Sequence, residues 1–301
     1  MPVEPVRVAG AVVDIAVPAW PGRVPGVTMA GFRSRATSPV ELSMVPYPAL
    51  TVFIDFGDVF LADTASGVRM HGGGVVGLGP AGVRGCGRDV DLLQVRLSPV
   101  VAHAVLGASS ELGGTVIAFD ELWHGDAARI REQLHATRSW DERFAIAEAA
   151  LGRRLGEGRM VHPEIAFAWA RIIKSRGRVR VDRLAEEVGW SRKRLWSRFR
   201  AQIGLTPKRA AQLVRFDYAA HRLASGDSAA AVSAESGYVD QSHLYRDARS
   251  FAGLTPTALA SAPWLAVDPV AWAAPAYARR LAIPRRLDGA NNPACDSALS
   301  A

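Results

Sequence analysis

From residue 176 onward, apolar positions recur with a helical period. In "VDRLAEEVG", Val181, Leu184, Ala185 and Val188 fall at i, i+3, i+4 and i+7, one face of a helix. Gly189 follows, where a left-handed glycine commonly ends a helix. In "SRKRLWSRFRAQIG", Leu195, Phe199 and Ile203 stand at successive i+4 steps. The opposite face of that helix carries Lys193, Ser197 and Arg200, flanked by Arg194 and Trp196. "TPKRAAQLVRFDYAAHRLASG" predicts a third helix opened by Pro207, with Leu213, Phe216, Ala220 and Leu223 as its stripe and Gly226 as its end. At 1.5 Å per residue this is a rod of roughly 27 Å. "SAAAVSAESG" and "DQSHLYRDARS" predict a further pair of helices. The second of these turns Leu244 and Ala248 inward and Ser242, Arg246 and Arg249 outward. Its stripe is expected to be thin, with smaller packing gains, because Ala248 and Ala252 hold the positions of Phe199 and Ile203.

The pattern changes in residues 1–157, which are rich in Gly and Pro and carry short β-branched runs. "LSMVPYPALTVFIDFGDVFLAD" reads as a hairpin of strands, and "VDLLQVRLSP" as a strand leading into a helix at "PVVAHAVLGA". Two amphipathic helices are predicted over about 120–155, and another starts at Pro163. After residue 262 the chain is rich in Pro and Ala without sustained periodicity. Residues 263–301 are expected to be a disordered tail, whose Trp264, Trp272 and Tyr277 are the residues available to dock it on the body.

A repeat organises the helical part. "GLTP" occurs at 204–207 and again at 253–256, 49 residues apart. The same offset pairs Leu195 with Leu244, Trp196 with Tyr245 and Arg200 with Arg249. Ser191 and Asp240, both good N-cap residues, open the two paired helices. Each unit is thus helix, glycine turn, helix. The second helix presents a polar, basic face, as helix-turn-helix readers of DNA do. Two such helices joined by a rod of about 27 Å suit successive major grooves, which recur about every 34 Å along one face of the duplex.

Charge supports this reading. The net charge is +7, and residues 176–262 alone hold 15 Arg and Lys against 8 Asp and Glu. A basic segment beside a near-neutral one points to an acidic polymer as partner. Catalytic and metal chemistry find little support. The seven histidines form no H-x-H, H-E-x-x-H or Cys/His cluster, and "HGGGVVGLGPAG" carries neither a dinucleotide fingerprint nor a Walker lysine. Cys86, between Arg84 and Arg88, and Cys295 are the only cysteines, a number that fits a reducing compartment. No apolar run is long enough to span a bilayer, and the N-terminus lacks a signal-peptide pattern. Neither a cofactor nor a resident metal is expected, and no enzymatic activity.

The stretch "LAEEVGWSRKRLWSRFRAQIGLTPKRAAQLVRFDYAAHRLASG" followed by "SGYVDQSHLYRDARSFAGLTP" resembles the AraC/XylS family of bacterial transcription regulators, over residues 176 to about 262. The resemblance implies an α+β chain. Residues 1–157 would be a β-rich, barrel-like sensor or dimerisation domain followed by a helical linker, and residues 160–262 an all-α domain of two helix-turn-helix units joined by a long helix. By position it implies that Lys193, Trp196, Ser197, Ser242 and Arg246 face bases. Arg192, Arg194, Arg200, Gln241, His243, Tyr245 and Arg249 would then lie against phosphates or the flanks of the groove. Trp196 has a second reading, as packing at the helix seam. The chain departs from the family pattern at Ser197, often Arg there, and at Ala248 and Ala252, usually larger. Implied partners are double-stranded DNA, a small-molecule effector of unknown identity and a second copy of the chain, in the cytoplasm and on the nucleoid, with no membrane. Two alternatives for the N-terminal half stay open: an enzyme-like module located on DNA by the helical domain, and a dimerisation domain with no ligand.

Overall fold

The structure is a computed structural model. It describes residues 3–272 apart from 9–10, 20–21, 23, 64–66, 68, 80–81, 108–115 and 124. Among the described residues, nine strands make one antiparallel sheet: β1 (Val3–Val8), β2 (Ala11–Ala16), β3 (Val27–Ser43), β4 (Leu50–Asp55), β5 (Phe60–Asp63), β6 (Arg69–His71), β7 (Gly73–Val76), β8 (Val83–Leu97) and β9 (Val116–Ala118). The spatial order is β1-β2-β3-β8-β4-β7-β9, with β5 pairing β6 and β8. The 15-residue β8 is the spine, bonding β3 along one side and both β4 and β5 along the other. The expected hairpin over residues 42–63 is therefore corrected. Its two strands, β4 and β5, do not pair with each other; each lies against a different part of β8. A turn signal shows where a chain bends and leaves open which strand receives the next one.

Strand alternation sorts the side chains onto two faces. Leu50, Val52 and Ile54 of β4 and Leu93, Val95 and Leu97 of β8 enter the large core shared with the helices. Ala30, Phe32, Phe53 and Leu92 point to the opposite face and form a second core. On the first face lie α1 (Pro99–Leu106), α2 (Phe119–Trp123), α3 (Gly125–Ala136) and α4 (Trp140–Glu157). The two helices expected over 120–155 are thus three, the first of a single turn. Arg143 of α4 is buried, donates to Asp91 of β8 at 2.6 Å and lies 3.8 Å over the Phe56 ring, which ties the helices to the central strand of the sheet.

The helical region continues with α5 (Pro163–Lys174), α6 (Val181–Glu187), α7 (Arg192–Ile203), α8 (Pro207–Ala224), α9 (Ala229–Glu235), α10 (Gln241–Ala252) and α11 (Pro256–Ala260). At the exit of α5 the chain makes a sharp turn at Gly177, φ +72°, where an added Cβ would stand 2.0 Å from the Ala211 carbonyl oxygen. Only glycine lets that turn approach α8 so closely. Two short helices follow, α12 (Pro263–Ala266) and α13 (Asp268–Ala271). They correct the expected tail: residues 263–272 are ordered, and Val267, Ala271 and Trp272 are buried in the core on the second sheet face. Residues 273–301, with Tyr277 and Cys295, lie outside the described residues, as does His124. No helix among the described residues is long and apolar enough to cross a membrane.

Candidate nucleic-acid interface

Each paired unit is built by local signals that the structure satisfies one by one. The Ser191 hydroxyl accepts from the Arg194 amide and opens α7, and the Asp240 carboxylate accepts from the His243 amide and opens α10. Both GLTP copies do the same work. Gly204 and Gly253 end α7 and α10 in the left-handed conformation, and Thr206 and Thr255 cap the next helices, whose first residue is Pro. Leu195, Phe199 and Ile203 of α7 are fully buried against the helical core.

The second unit is better filled than its alanines suggest. Phe251 is buried beside Leu244 and Ala248 and stacks on Phe216 of α8, ring centres 5.2 Å apart. The expectation of a thin stripe fails because the large side chain sits one helical turn after Ala248, on the flank of the stripe. A second contact, with no counterpart in the predicted pattern, braces this unit to the rod. Arg215 of α8 donates to the buried Asp247 at 3.1 Å and lies 4.5 Å over the ring of Tyr238. Burial, with Asp247 alongside, pushes the Tyr238 hydroxyl pKa up, so this phenol stays neutral. The available signal was Asp247 itself, three residues after Leu244, a carboxylate at a position that should be apolar.

The residues assigned to base contact all stand on the outer surface. Lys193, Trp196 and Ser197 of α7 and Ser242 and Arg246 of α10 are exposed. Among the described residues neither Lys193 nor Arg246 has an acidic partner. Trp196 is 45% exposed, with the Arg200 guanidinium 5.4 Å from its ring centre.

The flanking residues have more varied surroundings. Arg192 pairs with Asp182 at 3.2 Å, and Arg194 lies 4.4 Å over the Trp190 ring. Gln241 and Tyr245 are exposed. Arg249 donates to the Gly253 carbonyl at 2.7 Å, closing the C-terminus of its own helix. His243 is half-buried, its ring edge-on to Tyr238 and 3.4 Å from Arg215, so it belongs to the brace as much as to the surface.

One segment of this arrangement matches a known family. Residues 184–262 match the family described as "Helix-turn-helix domain". Residues 184–262 are therefore a helix-turn-helix domain. Solved structures that the chain is similar to include ToxT from Vibrio cholerae O395, at 12% identity over 77% of this chain and 96% of that one, TM-score 0.43. A structure of unsaturated fatty acid bound wild-type ToxT from Vibrio cholerae strain SCE256 shares 9% identity, covering 81% of this chain and 97% of that one, TM-score 0.45. The AraC-like transcriptional activator CuxR shares 15% identity over 65% of this chain and 77% of that one, TM-score 0.31. No curated protein matches the chain in sequence. In this chain the matched helix-turn-helix domain is preceded by the antiparallel sheet.

Proposed function

We propose that this protein is a cytoplasmic, effector-responsive regulator that reads a specific DNA sequence through Lys193, Trp196, Ser197, Ser242 and Arg246, and that it acts by occupying DNA, catalysing no reaction. The observation that carries the reading is a pair of N-capped helices, α7 and α10, both packed on α8 and both presenting exposed polar and basic side chains. Arg192, Arg194, Arg200, Gln241, Tyr245 and Arg249 then lie where phosphates flank the grooves.

Effector responsiveness rests on the second face of the sheet. A cavity of about 70 Å³ opens there, lined by Val8, Val13, Phe32, Leu92, Trp264 and Val267 among others. Its lining is apolar apart from Ser34, whose hydroxyl already donates to the Val12 carbonyl at 2.6 Å. No charged residue lines it, so the ligand it suits is apolar and uncharged. We further propose that the sheet region dimerises the protein on paired sites, on the nucleoid.

Chromatin immunoprecipitation with sequencing tests the central claim, and recovery of a recurrent motif is the expected result. In solution, affinity for that motif should fall with salt with a log–log slope near −0.9 per phosphate contact. A flat response between about 50 and 200 mM salt would refute DNA binding through the basic surface.

A further inference from the structure

The short C-terminal helices connect two things that are otherwise separate, the cavity on the sheet and the rod of the DNA-binding domain. Asp268, at the start of α13, is buried and takes three partners from three different parts of the chain. Arg96 of β8 donates to Oδ1 at 3.1 Å, the Tyr47 hydroxyl donates to Oδ2 at 2.8 Å, and His221 Nε2 of α8 lies 2.8 Å from the same oxygen. The Arg96 guanidinium is sandwiched between the rings of Tyr47 and Trp272, 3.5 and 4.1 Å from their centres. His221 Nδ1 is held by the Asp217 carbonyl at 2.8 Å, with the Asp217 carboxylate 3.5 Å away. Asp268, Arg96, Tyr47, His221 and Asp217 are thus one charged cluster spanning the sheet, the 44–49 loop, the C-terminal segment and α8.

The same segment is a wall of the cavity, through Trp264 and Val267. At about 70 Å³ the cavity is far smaller than the roughly 300–1,000 Å³ of sites that hold drug-sized ligands. Any such ligand needs one wall to move. The other walls are hydrogen-bonded strands, whereas this one is two helices of 4 residues each. Its seating is also incomplete. The indole nitrogens of Trp264 and Trp272 are buried with no hydrogen-bond partner among the described residues. Unsatisfied groups of this kind oppose the docked state and keep it replaceable.

We propose that residues 263–272 are a latch. Asp268 pins the C-terminal half of α8 to the sheet, and a ligand entering the adjoining cavity lifts the segment and frees the DNA-binding domain from it. This rests on the effector reading above and adds the route by which a ligand would be felt at α8. A ligand that fits only the lifted state shifts the equilibrium by its full preference for that state, and DNA favouring one state changes ligand affinity by the same factor.

Hydrogen exchange of the full chain, read by mass spectrometry, tests it with Asp268→Asn, Tyr47→Phe and the uncharged naphthalene dye Prodan. Asp268→Asn is expected to speed exchange by about tenfold or more, equivalent to about 1.4 kcal/mol of local stability. The increase should appear in 263–272 and the last two turns of α8 together, with β8 unchanged. An increase confined to 263–272 overturns the latch, because α8 is then held by other contacts. Tyr47→Phe removes one hydrogen bond and keeps the charges paired, so it should give the same pattern at smaller amplitude. It decides between the two outcomes if Asp268→Asn fails to fold. Saturating Prodan should reproduce the Asp268→Asn pattern in the parent. Prodan bound without faster exchange in α8 overturns the coupling. Absence of saturable Prodan binding tells against the apolar effector, and the latch then stands or falls on the two variants.

Discussion

Arg246 and Arg200 sit on corresponding helices and lead to different expectations. Arg246 projects from α10 with no acidic partner among the described residues, and its planar fork matches the two acceptors of a guanine edge. Arg246→Ala should cost about 1–3 kcal/mol on the cognate site and flatten preference at one or two base pairs in a binding-site selection. An unchanged motif with uniformly lower affinity would make Arg246 a phosphate contact. Arg200 lies near the end of α7 over Trp196. Its loss should weaken cognate and random DNA alike and lower the salt slope by about one. Gly177→Ala should destabilise the domain by at least the roughly 1–2 kcal/mol of a left-handed non-glycine residue, since its Cβ also meets the Ala211 carbonyl; thermal unfolding measures this. Caps such as Ser191 and Asp240 were legible in the sequence because a cap depends on residues within one turn. The Arg215–Asp247–Tyr238 brace was not, because its partners come together only when α8 and α10 pack.

Elements divide along the same line. The helices of the repeat were readable from period, caps and glycines, all local. Strand partners were not, since β8 is long enough to receive β4 and β5 in succession. The two GLTP copies make the helix ends testable. Thr206→Ala removes the oxygen that accepts from the Arg209 amide and should cost about 1 kcal/mol in chemical denaturation. Phe251→Ala should cost more, about 3–5 kcal/mol, by emptying the stack on Phe216. A loss below about 1 kcal/mol would return the second unit to the weakly filled state that Ala248 and Ala252 suggest.

Across the whole molecule, one charged cluster makes stability depend on pH. Burial alone would lower the His221 pKa, but the carboxylates of Asp217 and Asp268 outweigh it and raise it from 6.5 to about 9. A histidine raised on folding contributes stability that is present below pH 6.5 and lost as pH rises through 9. Burial likewise raises Asp217 to about 6, with the same sign at lower pH, so the window from 6.5 to 9 isolates His221. Asp268 is held below its usual range, by Arg96 foremost and against its burial, and stays ionised throughout that window. Because 36% of the His221 side chain is exposed, the expected loss between pH 6.5 and 9 is discounted to about 1 kcal/mol. His221→Gln should flatten the profile, and an unchanged pH dependence would remove His221 from the cluster's energetics. Nothing in the sequence pointed to this arrangement, since Tyr47, Arg96, His221 and Asp268 are scattered over more than 200 positions.

The 18-residue α8 carries Phe216 and Arg215 against the second unit and packs on α7 of the first. A single unbroken helix with side-chain braces has no hinge, so α7 and α10 keep one separation and one rotation about the rod. Helical phasing of the DNA then becomes a measurement of that stiffness. Inserting about five base pairs between the two boxes read by one chain rotates them to opposite sides of the duplex and should abolish joint reading. Adding about ten restores the facing but lengthens the span by roughly 34 Å, beyond the reach of a rod of about 27 Å. Recovery at ten would therefore mean that the two boxes are bound by two separate chains.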